Sequence, residues 1–207
     1  MNDKYQSIFK HYEKCFDKYG DNHRGVDWPN SNDAHLRYKV MLDLIKTEKE
    51  PISLLDFGCG ASHLYEYINC NNIKNIIYTG LDISKNYIDF SKNKYPNNNY
   101  IHCDILKQKR KLGNYDYIII NGVFTEKIDL QFDEMFSFMK SCLLCLWKHV
   151  NTGIAFNVMS SFVDWKRDDL FHLSLDLLAN FLCDHLSRNF IIRNDYRLYE
   201  YTSYVYK

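Results

Sequence analysis

Residues 51–62 read PISLLDFGCGAS: a proline, a short run apolar on both faces, an acid, then two glycines one residue apart. A run with no polar side is a strand covered above and below, and that demands helices on both faces of a largely parallel sheet. The glycines follow at once, so the chain must turn sharply from strand to helix. Gly58 and Gly60 lack the Cβ that bars strained dihedrals and the close approach of a ligand. In open α/β sheets ligands bind beyond the carboxyl ends of the strands, which makes this turn the first candidate for a binding site.

The same alternation runs down the chain. ISLLDFG is followed by HLYEYI, IIYTGLD by KNYIDFSK, then YIHCDIL, then YDYIIINGVF with a helix predicted over 132–148, then GIAFNVM with a helix over 168–187 that begins near His172. The end, NFIIRNDYRLYEYTSYVYK, reads as two strands joined by a short turn. Such a hairpin inserts one antiparallel strand into an otherwise parallel sheet. Ahead of the core, Ile8, Tyr12 and Phe16 recur every four residues and predict a helix over 4–18. A polar stretch, YGDNHRGVDWPNSND, separates it from a second helix capped by Ser31 or Asp33, with Leu36, Val40, Met41, Leu44 and Ile45 on one face and Arg37 off that stripe. At 207 residues the expectation is one domain over 1–207, residues 1–50 forming N-terminal helices and a lid loop and 51–207 the core.

Charge and cysteine usage exclude several classes. Lys+Arg and Asp+Glu both number 26, so no global field gathers nucleic acid or anionic lipid. No apolar stretch is long enough to span a bilayer, and the N-terminus is charged where a secretion signal is apolar, so a cytoplasmic location is expected. Seven cysteines, an odd number lying partly in apolar runs, read as free thiols. Cys142 and Cys145 form a C-x-x-C inside a predicted helix without a second pair, which does not suit a metal or redox site.

A dinucleotide turn would carry a third glycine at position 63, where the helix closes on the pyrophosphate, but His63 stands there. Asp82 ends the second strand run, where a carboxylate can accept from both hydroxyls of a ribose. Asp104 follows the third strand run, where it can accept from an exocyclic amine beside the apolar Ile105. Each acid alone reads as readily as a helix cap. In this order and spacing they point to a nucleoside-like cofactor without a pyrophosphate.

Here the chain resembles the class I S-adenosylmethionine-dependent methyltransferases, through LLDFGCGAS, YTGLDIS, IHCDIL and YDYIIINGVF in residues 52–124. The resemblance implies a Rossmann-like α/β fold with seven strands in the order 3-2-1-4-5-7-6, the last antiparallel, and helices on both faces. It implies that Gly58 and Gly60 lie against the methionine part of the cofactor. Asp56 would orient the ammonium, Asp82 with Ile83 would hold the ribose, and Asp104 with Ile105 would flank the adenine. Trp28 would lid the cofactor, Arg37 would pair with its carboxylate, and Asn121 would complete the set. HRGVDWPNSNDAHLRY and the C-terminal tail resemble small bacterial methyltransferases associated with surface-glycan biosynthesis.

Topology brings three loops over the acceptor: His23, Arg24 and Trp28; Asn121, Phe124 and Glu126; and Asp164, Trp165, Lys166 and Arg167. Asp164, Glu126 and His23 are the candidate general bases. His63 reads as a helix cap. Lys166, Arg167 and Arg193 could meet an anionic group on the acceptor. Asn121-Gly-Val-Phe124 shares its first and fourth residue types with the Asn/Asp-Pro-Pro-Tyr/Phe segment of amine methyltransferases but lacks both prolines. Metal-dependent catechol-type enzymes place an aspartate where Asn121 stands, so no metal is expected. The expected reaction is methyl transfer to a hydroxyl or amine of a small polar metabolite. An RNA or protein methyltransferase, or a non-catalytic cofactor-binding subunit, is the alternative.

Overall fold

A computed structural model describes residues 3–46, 51–107 and 112–207; the remainder of the expected 1–50 segment and of the 52–124 motif region lies outside them. The helices are α1 (Gln6–Tyr19), α2 (Ser31–Leu42), α3 (His63–Cys70), α4 (Lys85–Lys94), α5 (Phe132–Leu146) and α6 (Leu175–His185). The strands are β1 (Ile52–Phe57), β2 (Ile76–Asp82), β3 (Asn99–His102), β4 (Tyr115–Ile120), β5 (Val150–Ser160), β6 (His172–Leu173), β7 (Phe190–Arg193) and β8 (Glu200–Tyr206). Along the sheet they run β3-β2-β1-β4-β5-β8-β7, with β8 antiparallel to both neighbours. This is the expected order and the expected terminal hairpin. The difference is the two-residue β6, which adds an eighth strand by pairing with the end of β5.

Period-two alternation divides the central strands between two cores. In β4, Ile118 and Ile120 face α5 and α6, joining Met135, Phe138, Met139, Leu178 and Leu182. Tyr117 and Ile119 face the other way, joining Tyr38, Met41 and Leu42 of α2 and Leu64 and Ile68 of α3. A strand apolar on both sides can be stable only in such a sandwich. Parallel pairing sets Asp56 against Gly80 and Ile119, and Asp82 against His102, so β1 to β4 end at one edge.

Local signals differ from expectation in three places. The side chain that caps α2 is Asn30, which accepts from the Asn32 and Asp33 N–H groups. A capping oxygen must come from a residue with extended backbone before the helix, and Ser31 is already helical. His172 lies in β6, its Nδ1 2.7 Å from the Ser160 carbonyl, and α6 begins three residues later behind the Ser174 cap. His63 is the first residue of α3 and its ring pairs with Asp21 at 2.8 Å, so it caps nothing. Among the described residues no cysteine forms a disulfide. Among the described residues no helix is long and apolar enough to cross a membrane.

Candidate active site

The carboxyl ends of β1 to β4 frame a cavity of about 860 Å³ counted out to solvent. Gly58 and Gly60 line its floor at φ +76° and +50°, the left-handed values that let the turn bend under a ligand. Asp82 locks that turn to β2. Its Oδ2 accepts from the Gly60 N–H at 2.9 Å and its Oδ1 from the Ser84 N–H at 2.8 Å. Burial pushes its pKa up to about 6 even though backbone donors oppose the shift.

Asp104 also lines the cavity, accepting from the Tyr5 hydroxyl at 2.9 Å and the Leu106 N–H at 3.0 Å. Ile83 and Ile105 supply apolar wall, and Asn121 stands at the end of β4. The Asn121 amide oxygen is buried and has no hydrogen-bond partner among the described residues. An unmade buried hydrogen bond costs about 1–3 kcal/mol, which a ligand donor in the cavity would recover.

The N-terminal segment forms the roof. Tyr5 from the 3-10 turn just before α1, and Ile8, Phe9 and Tyr12 from α1, line the cavity, with Val26 and Trp28 from the following loop. The periodic stripe of α1 signalled packing but not that Ile8 and Tyr12 face a cavity while Phe16 packs on Tyr87 and Phe90. Tyr12 donates to the Gly122 carbonyl at 3.1 Å. Tyr87 of α4 donates to the carbonyls of Tyr12 and Gly25 at 2.9 and 3.0 Å, fixing both roof pieces to the core. Trp28 presses so close that a Cβ at Gly122 would lie 2.8 Å from its ring.

Several expected residues lie elsewhere. Asp56 points into the α3-side core, where it accepts from the Tyr78 hydroxyl at 2.6 Å, because alternation along β1 sends Phe57 to the cavity and Asp56 away. Arg37 is not on the cavity wall: it pairs with Glu200 at 2.8 Å and stacks on Trp28. Asp164 is held outside by Tyr199 at 2.5 Å, and His23 sits in a 3-10 turn away from the wall. Phe124 is a fully buried core residue against Phe138 and Phe156. Arg167 is engaged by Asp169, and Arg193 by Asp43 and Asp195.

Glu126 is the one base candidate beside the roof. Its carboxylate lies 3.4 Å from His11 Nε2, and His11 in turn lies 2.6 Å from Asp27. Burial and the neighbouring Asp27 push the Glu126 pKa up to about 8. Sequence reasoning missed His11 and Asp27, which are joined to Glu126 only by the fold.

Residues 55–146 match the methyltransferase domain family. A Mycobacterium tuberculosis protein named as a methyltransferase, Rv1506c, is 26% identical over 160 residues, spanning 76% of this chain and 95% of that protein. The fold is similar to the magnesium protoporphyrin IX methyltransferase of Synechocystis PCC 6803 solved with bound S-adenosylmethionine, at TM-score 0.67 and 14% identity over 100% of this chain and 98% of that one. It is also similar to the plantazolicin methyltransferase BpumL solved with S-adenosylhomocysteine and a pentazolic desmethylPZN analog, at TM-score 0.63 and 16% identity over 100% and 99% of the two chains. With the glycine turn, the strand-end acids and the strand order all in place, the chain carries a methyltransferase domain on the Rossmann-like fold of S-adenosylmethionine-dependent methyltransferases.

Proposed function

We propose that this enzyme transfers a methyl group from S-adenosylmethionine to a hydroxyl or amine of a small polar acceptor. The observation that carries the reading is the row of residues along one cavity: Gly58, Gly60, Asp82, Ile83, Asp104, Ile105 and Asn121. The cofactor fits them. Two left-handed glycines leave room for its methionine part, Asp82 offers acceptor oxygens to ribose hydroxyls, and Asp104 offers them to the adenine amine between Ile83 and Ile105. The unpartnered Asn121 oxygen supports a further donor from the cofactor or the acceptor.

When bound, the cofactor supplies an electrophilic methyl group on a sulfonium whose leaving group is a neutral thioether. The chain therefore has no donor-side anion to stabilise, and its work is alignment in a dry pocket, which contributes on the order of 7–11 kcal/mol in favourable cases. The roof of α1 and Trp28 supplies the dryness. A hydroxyl acceptor must also lose a proton, and Glu126, next to Tyr12 at the roof edge, is the group proposed to take it. A neutral amine needs no base before transfer.

A surface-glycan precursor is the acceptor favoured by the resemblance of the N-terminal loop and C-terminal tail. The two solved neighbours are named for a porphyrin and for plantazolicin, so the shared fold does not select the acceptor. The test is S-adenosylhomocysteine production in the presence of nucleotide sugars, phosphorylated metabolites and amines. Turnover with one of these classes is expected, whereas turnover only with RNA or protein would overturn the small-acceptor reading.

A further inference from the structure

His11, Cys15 and Asp27 bring a ring nitrogen, a thiol sulfur and a carboxylate oxygen within 4.8 Å of one another. His11 and Cys15 are four residues apart on α1 and so share one face of the helix. Asp27 arrives from the roof loop in a left-handed conformation, φ 58°, that a non-glycine residue rarely takes. We propose that these three side chains form a site for a divalent transition-metal ion of the zinc class, with Glu126 beside its open fourth position.

The separations suit such an ion. Zinc bonds of about 2.0–2.3 Å in tetrahedral arrangement put two nitrogen or oxygen ligands about 3.4 Å apart, and nitrogen and sulfur about 3.6 Å apart. His11 Nε2 lies 3.7 Å from Cys15 Sγ and 3.4 Å from the Glu126 carboxylate. The 2.6 Å between His11 and Asp27 is a hydrogen bond and must open by less than about 1 Å. A mixed nitrogen, sulfur and carboxylate set selects zinc, cobalt or a related ion over magnesium, which prefers oxygen ligands and water.

A second cluster provides a contrast. Asp21, His63 and Glu66 converge in the same way, but the Lys94 ammonium already sits among them, 2.8 Å from Asp21 and 2.7 Å from Glu66. Among the described residues the ion pairs of Asp27 and Glu126 are to His11 alone. Arg167, whose charge reaches both carboxylates, is itself bound to Asp169. Two carboxylates converge on one imidazole, a negatively charged setting that favours a divalent cation.

Its consequence is mechanical. The ligands alternate along the chain with roof residues: Ile8, Phe9 and Tyr12 surround His11, and Val26 and Trp28 flank Asp27. A bound ion therefore pins the two roof pieces to each other over the cavity. Linkage requires that an ion that tightens cofactor binding is itself bound more tightly by the same factor when the cofactor is present.

Cobalt(II) titration of the metal-free full chain tests the site. One ion per chain is expected, with the intense visible absorption of a tetrahedral centre and a thiolate-to-cobalt charge-transfer band in the near ultraviolet, displaced by zinc. Cys15→Ser should abolish the charge-transfer band while weaker visible bands persist, and Cys70→Ser, at an exposed thiol, should leave both intact. Losing even a supporting partner of a metal ligand costs about 10–100-fold in affinity, so His11→Asn and Asp27→Asn should weaken binding at least that much. Circular dichroism of each metal-free variant confirms that it folds. No saturable cobalt spectrum, or a charge-transfer band surviving in Cys15→Ser, would overturn the site. A second arm measures S-adenosylhomocysteine affinity with and without zinc, and at least a several-fold tightening is expected. That arm alone rests on the proposed function: absent cofactor binding under both conditions would sink the functional reading and leave the cobalt result standing, whereas equal affinity would overturn the roof-pinning role.

Discussion

The guanidinium of Arg37 lies over the Trp28 ring, 4.0 Å from its centroid, and so joins α2 to the roof of the cavity. Its Nε donates to Glu200, which is 1% exposed, and Glu200 accepts in turn from Asn157 at 3.0 Å. Asn157 accepts from the Gly122 N–H at 2.8 Å. The chain of partners runs from Trp28 back to the loop that Trp28 covers.

Removing one member of this buried pair strands the other charge, at a cost of about 3–5 kcal/mol. Glu200→Gln should lower stability by that order in urea denaturation. Arg37→Met alone should be comparably harmful. The double variant should lose clearly less than the sum, because neither charge is then left alone. Simple additivity would mean that the two side chains are not coupled.

Asp82→Asn keeps a side-chain oxygen for the Gly60 or Ser84 N–H but loses the charge and half of the acceptor capacity. Its cofactor affinity should fall by about tenfold or more, the value of one good hydrogen bond to a charged group. The melting temperature without cofactor should move by only a few degrees. Calorimetric titration with S-adenosylhomocysteine decides the matter, and an unchanged dissociation constant would reduce Asp82 to a brace for the glycine turn.

Asp56 links stability to pH. Burial raises its pKa from 3.8 to about 7 in the folded chain, with the Tyr78 hydrogen bond opposing. The folded form thus keeps a proton that the unfolded chain releases near 3.8, so this group's stabilisation is complete below 3.8 and is lost as pH rises through 7. Asp56→Asn can still accept from Tyr78 but does not titrate. Its melting temperature should vary less between pH 4 and 7 than that of the wild type, and should exceed it at pH 8. Parallel profiles would show that the carboxylate ionises freely.

Gly122 sits at φ +83° under the Trp28 ring. Gly122→Ala adds both backbone strain and a clash, a combination worth on the order of 1–3 kcal/mol. Trp28 should shift outward, so its fluorescence should change and cofactor affinity should drop. Wild-type fluorescence and affinity together would show that the roof tolerates the methyl group.

The strands and the candidate cofactor edge were legible because their signals are local: runs apolar on both faces, a glycine pair, and acids at or just after the ends of two neighbouring strands; the strand order came instead from the family resemblance that those motifs carry. Ile118 and Ile119 announce a two-faced strand without reference to any other residue. Asp82 at the end of β2, and Asp104 and Asn121 just past the ends of β3 and β4, line the cavity. Asp56 shows the limit, since a strand-end residue points to one face or the other according to the pleat, and the pleat sends Asp56 to Tyr78. The partners of Arg37, Asp164 and Arg193 were out of reach for a different reason. A long or charged side chain takes whichever counter-charge or hydroxyl the fold brings near, and Glu200 lies 163 residues from Arg37. The aromatic roof and the meeting of His11, Cys15 and Asp27 with Glu126 belong to the same class: each residue is ordinary within its own helix or loop, and packing of α1 across the sheet edge turns them into one wall and one cluster.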